Sequence, residues 1–199
     1  MQAHDFLDNQ HVIGLGDLVV SKNGGKSASI TVDGAPLRLR LGRPGAPCLA
    51  VFGFSCWEGK KNQDRCSLDV QADDETLRCI DQLDEMLLEA LEKNASKFLP
   101  AKDAKRVRDM WRPTKKEHAE GKFPPVIRTK ATKSSVHVWG EDKTPLTSDA
   151  IGPRTELCLL VKVKNLYFQS GSIGCVLECQ DALLSSTSAE CPWGEAPDE

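Results

Sequence analysis

Residues 156–184, ELCLLVKVKNLYFQSGSIGCVLECQDALL, decide how the rest of the chain is read. Two apolar arms flank a polar, glycine-containing join, the pattern of a long β-hairpin. In the first arm Leu157, Leu159, Val161 and Val163 share one face, while Lys162 and Lys164 follow Cys158 and Leu160 on the other. In the second arm Ile173, Cys175, Leu177 and Cys179 alternate with Val176, Glu178 and Gln180. A ribbon with one apolar face has to close on further strands, so the sequence predicts an all-β core around it. The join, residues 167–171, is expected to carry Tyr167, Phe168 and a flexible glycine at its tip, beside the lysines of the first arm. Its NLYFQSG run has the form of a tag-protease cleavage site. Lys164 stands where such a site carries an acid, however, and the run continues the strand pattern, so it is read as part of the fold.

Working outward from the ribbon, the preceding chain supplies the partners it needs. Residues 1–15 read as a lead-in. Residues 17–21 and 27–32 form a hairpin about Asn23-Gly24-Gly25, a turn that requires positive φ. Leu37, Leu39 and Leu41 alternate with Arg38 and Arg40, and residues 48–54 and 66–70 are further apolar strands, with Phe52 and Phe54 read as core. The period then changes. Residues 74–93 place Leu77, Ile80, Leu83, Leu87 and Leu91 on one helical stripe, with Asp73 or Asp74 to cap the start and Asn94 the end. A second helix is expected over residues 101–111 with Trp111 inward, stopped by Pro113. Residues 126–131 and 135–139 return to strand. This order predicts a mainly β fold with inserted helices: an OB-like small barrel in residues 1–184 with a helical insertion at about 74–111. Residues 185–199 (SSTSAECPWGEAPDE) read as an acidic flexible tail.

The bulk properties narrow the function. A chain of 199 residues is long enough to bury a sizeable core. The formal net charge of −3 does not by itself announce a nucleic-acid binder, but its distribution is uneven. Residues 69–92 hold nine acids and one base, residues 102–133 hold eleven bases and four acids, and every charge after Asn165 is negative. This predicts a segregated field. The eight cysteines are scattered without a signal peptide, and Cys79, Cys158, Cys175 and Cys179 fall on apolar helix or strand positions, so the set is expected to be reduced core residues of an intracellular, non-secreted protein in nucleus, cytoplasm or viral replication site. No apolar run has membrane-spanning length. The four histidines lack ligand neighbours at metal spacing, Gly14-Leu15-Gly16 lacks the third glycine of a phosphate loop, and no nucleophile stands near a base. The expectation is a protein that is not an enzyme and needs no metal or cofactor.

What recurs is an aromatic beside cations. Trp57 precedes Lys60 and Lys61; Trp111 precedes Arg112, Lys115 and Lys116; Phe123 sits between Lys122 and the run Arg128, Lys130, Lys133, with Trp139 beyond; Tyr167 and Phe168 follow Lys162 and Lys164. Single-stranded nucleic acid requires this pairing, because cations neutralise its backbone while exposed rings stack on unpaired bases, at about 1–3 kcal/mol per base. Stacking is assigned to Trp57, Trp139, Tyr167 and Phe168, with core roles open for Tyr167, Phe168 and Trp139. Phosphate contact is assigned to Lys60, Lys61, Arg112, Lys115, Lys116, Lys122, Arg128, Lys130 and Lys133, with Lys162 and Lys164 beside the ribbon tip. The tail, with Trp193, Glu195, Asp198 and Glu199, reads either as a solubilising segment or as a tethered anion that competes for the groove and then recruits partners. The rival reading is a protein-interaction module or structural β-sandwich whose charged loops meet an acidic partner.

The run CSLDVQADDETLRCIDQLDEMLLEALEKNASKFL, with its central Leu83-Asp84, is followed by a basic helix, FPPVIRTK and IGCVLECQ. From about Cys48 to Glu199 this layout resembles the OB-fold single-stranded-DNA-binding proteins of tailed phages and large DNA viruses. The resemblance implies an OB barrel that coats exposed strands in replication, recombination and repair, and an acidic tail that contacts a polymerase or helicase. Members of the phage branch often end in an aromatic residue, whereas this chain ends Asp198-Glu199.

Overall fold

The computed structural model describes Phe6 and residues 11–56 and 64–185. Trp57, Lys60, Lys61, Trp193, Glu195, Asp198 and Glu199 therefore lie outside the described residues.

The predicted ribbon is the longest pairing in the molecule. β11 (Glu156–Gln169) and β12 (Ser172–Leu184) run antiparallel from Leu157 opposite Leu184 to Gln169 opposite Ser172, around a turn at Ser170-Gly171 with φ of 49° and 74°. Tyr167 and Phe168 belong to the strand and not to the tip. β4 (Cys48–Cys56) joins β11, β5 (Arg65–Gln71) joins β4, β8 (Val126–Thr132) joins β5, and β12 joins β8. That path returns to its start because β11 pairs β12. Each junction is antiparallel except β8 with β12, where Glu178 lies opposite Lys130 in parallel. Five strands in this closed order form the OB-like barrel, a mainly β fold with helices inserted between its second and third strands. Closure leaves no unpaired edge in the ring.

The other strands extend the same sheet. β1 (Ile13–Val20) and β2 (Lys26–Val32) form the predicted Gly-turn hairpin, and β2 adds to the Asn165–Phe168 end of β11. β3 (Arg38–Leu41) pairs with β11 opposite Leu159–Lys162, with Leu39 and Leu41 buried and Arg38 and Arg40 exposed. The insertion opens with α1 (Asp74–Lys93), capped as expected: the Asp73 carboxylate accepts from the Thr76 N–H. Its Ile80, Leu83, Leu87 and Leu91 are fully buried, which at ~2 kcal/mol per aliphatic side chain anchors the helix on the barrel.

After a single turn α2 (Ala95–Phe98), the second helix expected over residues 101–111 is instead two single turns, α3 (Ala101–Ala104) and α4 (Val107–Met110). Arg106 leaves the helical region (φ −120°, ψ 21°). That break lets Val107 and Trp111 reach the core while Arg108 turns back to α1. β6 (Trp111–Arg112) then pairs in parallel with β12, β7 (Lys115–Lys116) pairs with β8, and β9 (His137–Trp139) and β10 (Pro145–Leu146) close the far side of β12.

Burial holds the Cys48, Cys79 and Cys179 thiols protonated, pushed up to about 12, which suits packing and not nucleophilic chemistry. No helix among the described residues is long and apolar enough to cross a membrane.

Candidate nucleic-acid interface

Side chains alternate across a strand, so the outward positions of the barrel can be followed from partner to partner. One belt runs Ser55, Ser67, Lys130, Glu178, Lys162, Arg38, each residue opposite the next on β4, β5, β8, β12, β11 and β3. All six are exposed or half-buried, while Leu68, Thr129, Leu177, Val161 and Leu39 on the opposite face are fully buried or nearly so. Lys164 donates to the Glu178 carboxylate, which leaves one acid among three lysines. Lys130 and Lys162 form no ion pair among the described residues. The Lys130 ammonium is held below the usual lysine range by burial and then by the charge of Arg128, with Lys116 adding to it. A cation pressed by like charges is the one an incoming phosphate would relieve most.

A second belt lies beside the first. Asp69 faces Arg128, which clasps it at 2.6 and 2.8 Å. Opposite Asp69 the register of β4 slips between Ala50 and Phe54. Residues 51–53 form a bulge there, with Gly53 at φ 69°. A Cβ on Gly53 would come within 2.5 Å of the Ile151 carbonyl, so only glycine fits. The bulge turns Phe52 outward to 70 % exposure, so the core role expected for this residue is corrected. The ring stands at the level of the Asp69–Arg128 pair. Phe54 stays half-buried against the core, and Lys133 lies over its ring at 5.9 Å.

Phe168 is 8 % exposed and stacks on Phe98 at 5.8 Å and 11°, so its assignment to base stacking is corrected to a core role. The reason is a register shift between Val163 and Asn165, which reverses the inward face of β11 from odd to even positions. Tyr167 is half-buried and lies against Gly174, where an added Cβ would meet its ring at 2.8 Å. One face of that ring is covered. Trp139 is half-buried and donates from Nε1 to Asp181 at 3.3 Å, three residues along β12 from Glu178. Phe123 is 64 % exposed on the β7–β8 loop, edge-on to His118 at 5.0 Å.

The charge runs do not segregate. The acidic 69–92 stretch and the basic 102–133 stretch neutralise each other: Arg128 with Asp69, Lys115 with Asp81 at 2.7 Å, and Arg108 with Glu85 and Glu92 at 2.8 and 2.9 Å. The expected segregated field is therefore corrected, because α1 folds back over the basic segment. Among the other assigned cations, Lys122 pairs with Glu120, Lys133 lies 3.8 Å from Asp149, and Arg112 donates to Ser172 at 3.1 Å. Lys116 is exposed on β7 with no ion pair among the described residues. Exposed pairs of this kind hold their partners by less than about 1 kcal/mol, so they moderate the positive surface without removing it.

Solved structures can be set beside this geometry. The chain is similar to the single-stranded DNA-binding protein from bacteriophage Enc34. Against that protein the identity is 12 % and the TM-score 0.49, with 94 % of this chain and 96 % of that chain covered. Against the same protein in complex with ssDNA the values are 11 %, 0.45, 86 % and 92 %. Against its C-terminal truncation they are 11 %, 0.48, 84 % and 94 %. No family model and no curated protein matches the chain.

Phe52 is the site residue that sequence reasoning missed. The signal was present in the FGF triplet, since a glycine inside a strand marks a bulge and the residues within a bulge leave the alternation of the strand.

Proposed function

We propose that this chain is a non-enzymatic, largely sequence-independent single-stranded-DNA-binding protein, and that the strand runs over the outer face of β4, β5, β8, β12 and β11. The observation that carries the reading is the exposed Phe52 ring, held out by a bulge that only glycine permits, at the level of the Asp69–Arg128 pair. A soluble barrel gains nothing for its own stability from an exposed phenyl; an unpaired base gains a stacking platform from it. Lys130, Lys162 and Lys164 then take phosphates along the adjacent belt. Trp57, Lys60 and Lys61 fall in the sequence between β4 and β5, and we propose them as further DNA contacts. Phe52→Ala is expected to weaken binding of an unstructured oligonucleotide roughly 5- to 150-fold, the worth of one stacked base, with no loss of thermal stability. Fluorescence anisotropy and a thermal melt read the two quantities, and unchanged affinity would remove the ring from the site.

The acidic tail completes the proposal. Residues 186–199 bring Glu190, Glu195, Asp198 and Glu199 with no basic residue. Tethered to β12, such an anion competes with DNA for the lysine belt at high effective concentration. Once displaced it offers Trp193 and its carboxylates to replication and recombination proteins such as a polymerase or helicase. Deleting residues 186–199 is expected to tighten oligonucleotide binding at low salt and to leave it unchanged at high salt. Equal or weaker binding in low salt overturns the competing role.

A further inference from the structure

β12 carries a second register shift, between the pairs Leu160–Asp181 and Val161–Cys179, so that Gln180 is extruded as a bulged residue. The bulge opens a cavity of about 360 Å³ directly beyond the lysine belt. Leu160 supplies an apolar wall, Glu178 and Asp181 line the cavity on β12, and Arg38, Ser135 and His137 complete it. Its volume suits one nucleobase with its sugar. His137 lines the cavity, and the Trp139 ring lies 6.3 Å from it; both are tied to Asp181 Oδ1, at 3.3 Å from the indole Nε1 and 3.2 Å from His137 Nδ1. Lys162 and Lys130 lie opposite Glu178, which lines the cavity, on the two strands that flank β12 there.

We infer that this cavity receives one base splayed from the bound strand and that it prefers guanine over thymine. The inference rests on the DNA-binding reading above and deepens it. The preference follows from the donor and acceptor pattern. Asp181 commits Oδ1 to His137 and Trp139, and Glu178 commits Oε1 to Lys164. The second oxygen of each carboxylate accepts no hydrogen bond among the described residues. Guanine offers two adjacent N–H donors, N1–H and N2–H, one for the free oxygen of each carboxylate, while its O6 accepts from a donor such as the Ser135 hydroxyl or the Gln180 amide. Thymine places a carbonyl oxygen on either side of its single N–H, and both oppose a carboxylate. The His137 imidazole in the lining is sequence-tolerant, so it holds any base, and the carboxylates make the choice.

The test compares a thymidine homopolymer of about 16 nucleotides with the same oligomer carrying one central dG, titrated onto the full chain at moderate salt. One guanine suffices, because the protein can shift along the strand to seat it. The dG oligomer is expected to bind about fivefold tighter, the low end of a bidentate base contact. Asp181→Asn, which keeps the shape of the side chain, is expected to abolish that ratio while binding of the thymidine oligomer stays the same or improves. Glu178→Gln provides a second variant if Asp181→Asn does not fold. Equal affinity of the wild-type chain for both oligomers, or an unchanged ratio in the variant that folds, overturns the guanine pocket and leaves the DNA-binding reading standing. Binding of neither oligomer overturns the DNA-binding reading itself.

Discussion

Replacing Lys116, Lys130 and Lys162 together by alanine is expected to lower affinity for an unstructured oligonucleotide on the order of 100-fold at low salt, at about 1 kcal/mol per lost charge contact. The three residues are chosen for what surrounds them. None is in an ion pair among the described residues, and Lys130 is pressed by Arg128 and Lys116. Lys162 lies between Arg38 and Glu178 in the cross-strand belt. Removing them takes away counterion release without removing a structural partner. The slope of log affinity against log salt should therefore flatten by about 2, at roughly 0.7 per phosphate contact on a single strand. The control is Arg108→Ala. Arg108 belongs to the same basic stretch but is spent on Glu85 and Glu92, so its loss should leave the salt slope unchanged. If the two variants lose affinity equally, binding follows net charge and the belt has no special place.

That contrast marks where sequence reading stops. Properties that depend on neighbours a few residues away were legible: the five-turn stripe of α1, its Asp73 cap, the alternation of β3, the Gly turn between β1 and β2, and the arms of the β11–β12 ribbon. Strand order and the helical insertion were enough to predict an OB-like barrel. Long-range register was not legible. Two slips, between Val163 and Asn165 and at Gln180, exchange inward and outward positions, and a third, at residues 51–53, turns the bulged residues out of the alternation. They moved Phe52 out of the expected core and Phe168 into it. The pairing of the 69–92 acids with the 102–133 bases was hidden for the same reason, since it requires α1 to pack over α4 and β7 and β5 to pair with β8. A one-dimensional charge count sees two blocks where the folded chain has a mostly neutralised flank and one lysine belt.

The thermal stability of the protein is expected to fall as pH rises from about 4 to 6, and Asp84→Asn is expected to remove that fall. Asp84 lies on the buried side of α1, 7 % exposed, where it accepts from the Thr114 N–H and hydroxyl, both at 2.7 Å. Desolvation outweighs these two bonds and pushes its carboxyl up from 3.8 to about 6. A carboxyl with a raised folded pKa binds its proton more tightly in the native state. Its stabilising contribution is complete below about 3.8 and is lost as pH rises through about 6. Two pKa units correspond to about 3 kcal/mol, or roughly 6–12 °C in midpoint for a chain of this size. Asp33, Asp64, Asp73 and Asp142 work in the opposite sense, because hydrogen bonds hold their carboxyls below 3.8; their contributions fade only at more acid pH, outside this window. Asparagine can accept the Thr114 N–H and donate to its hydroxyl, so the variant keeps the tie and drops the titration. Thr114 immediately precedes β7, so the same tie positions Lys116 at the edge of the proposed interface. Asp84→Asn should therefore bind DNA as the wild type does, while its midpoint stays level between pH 4 and 6. A variant midpoint that falls with pH as steeply as that of the wild type would show that another group controls this window.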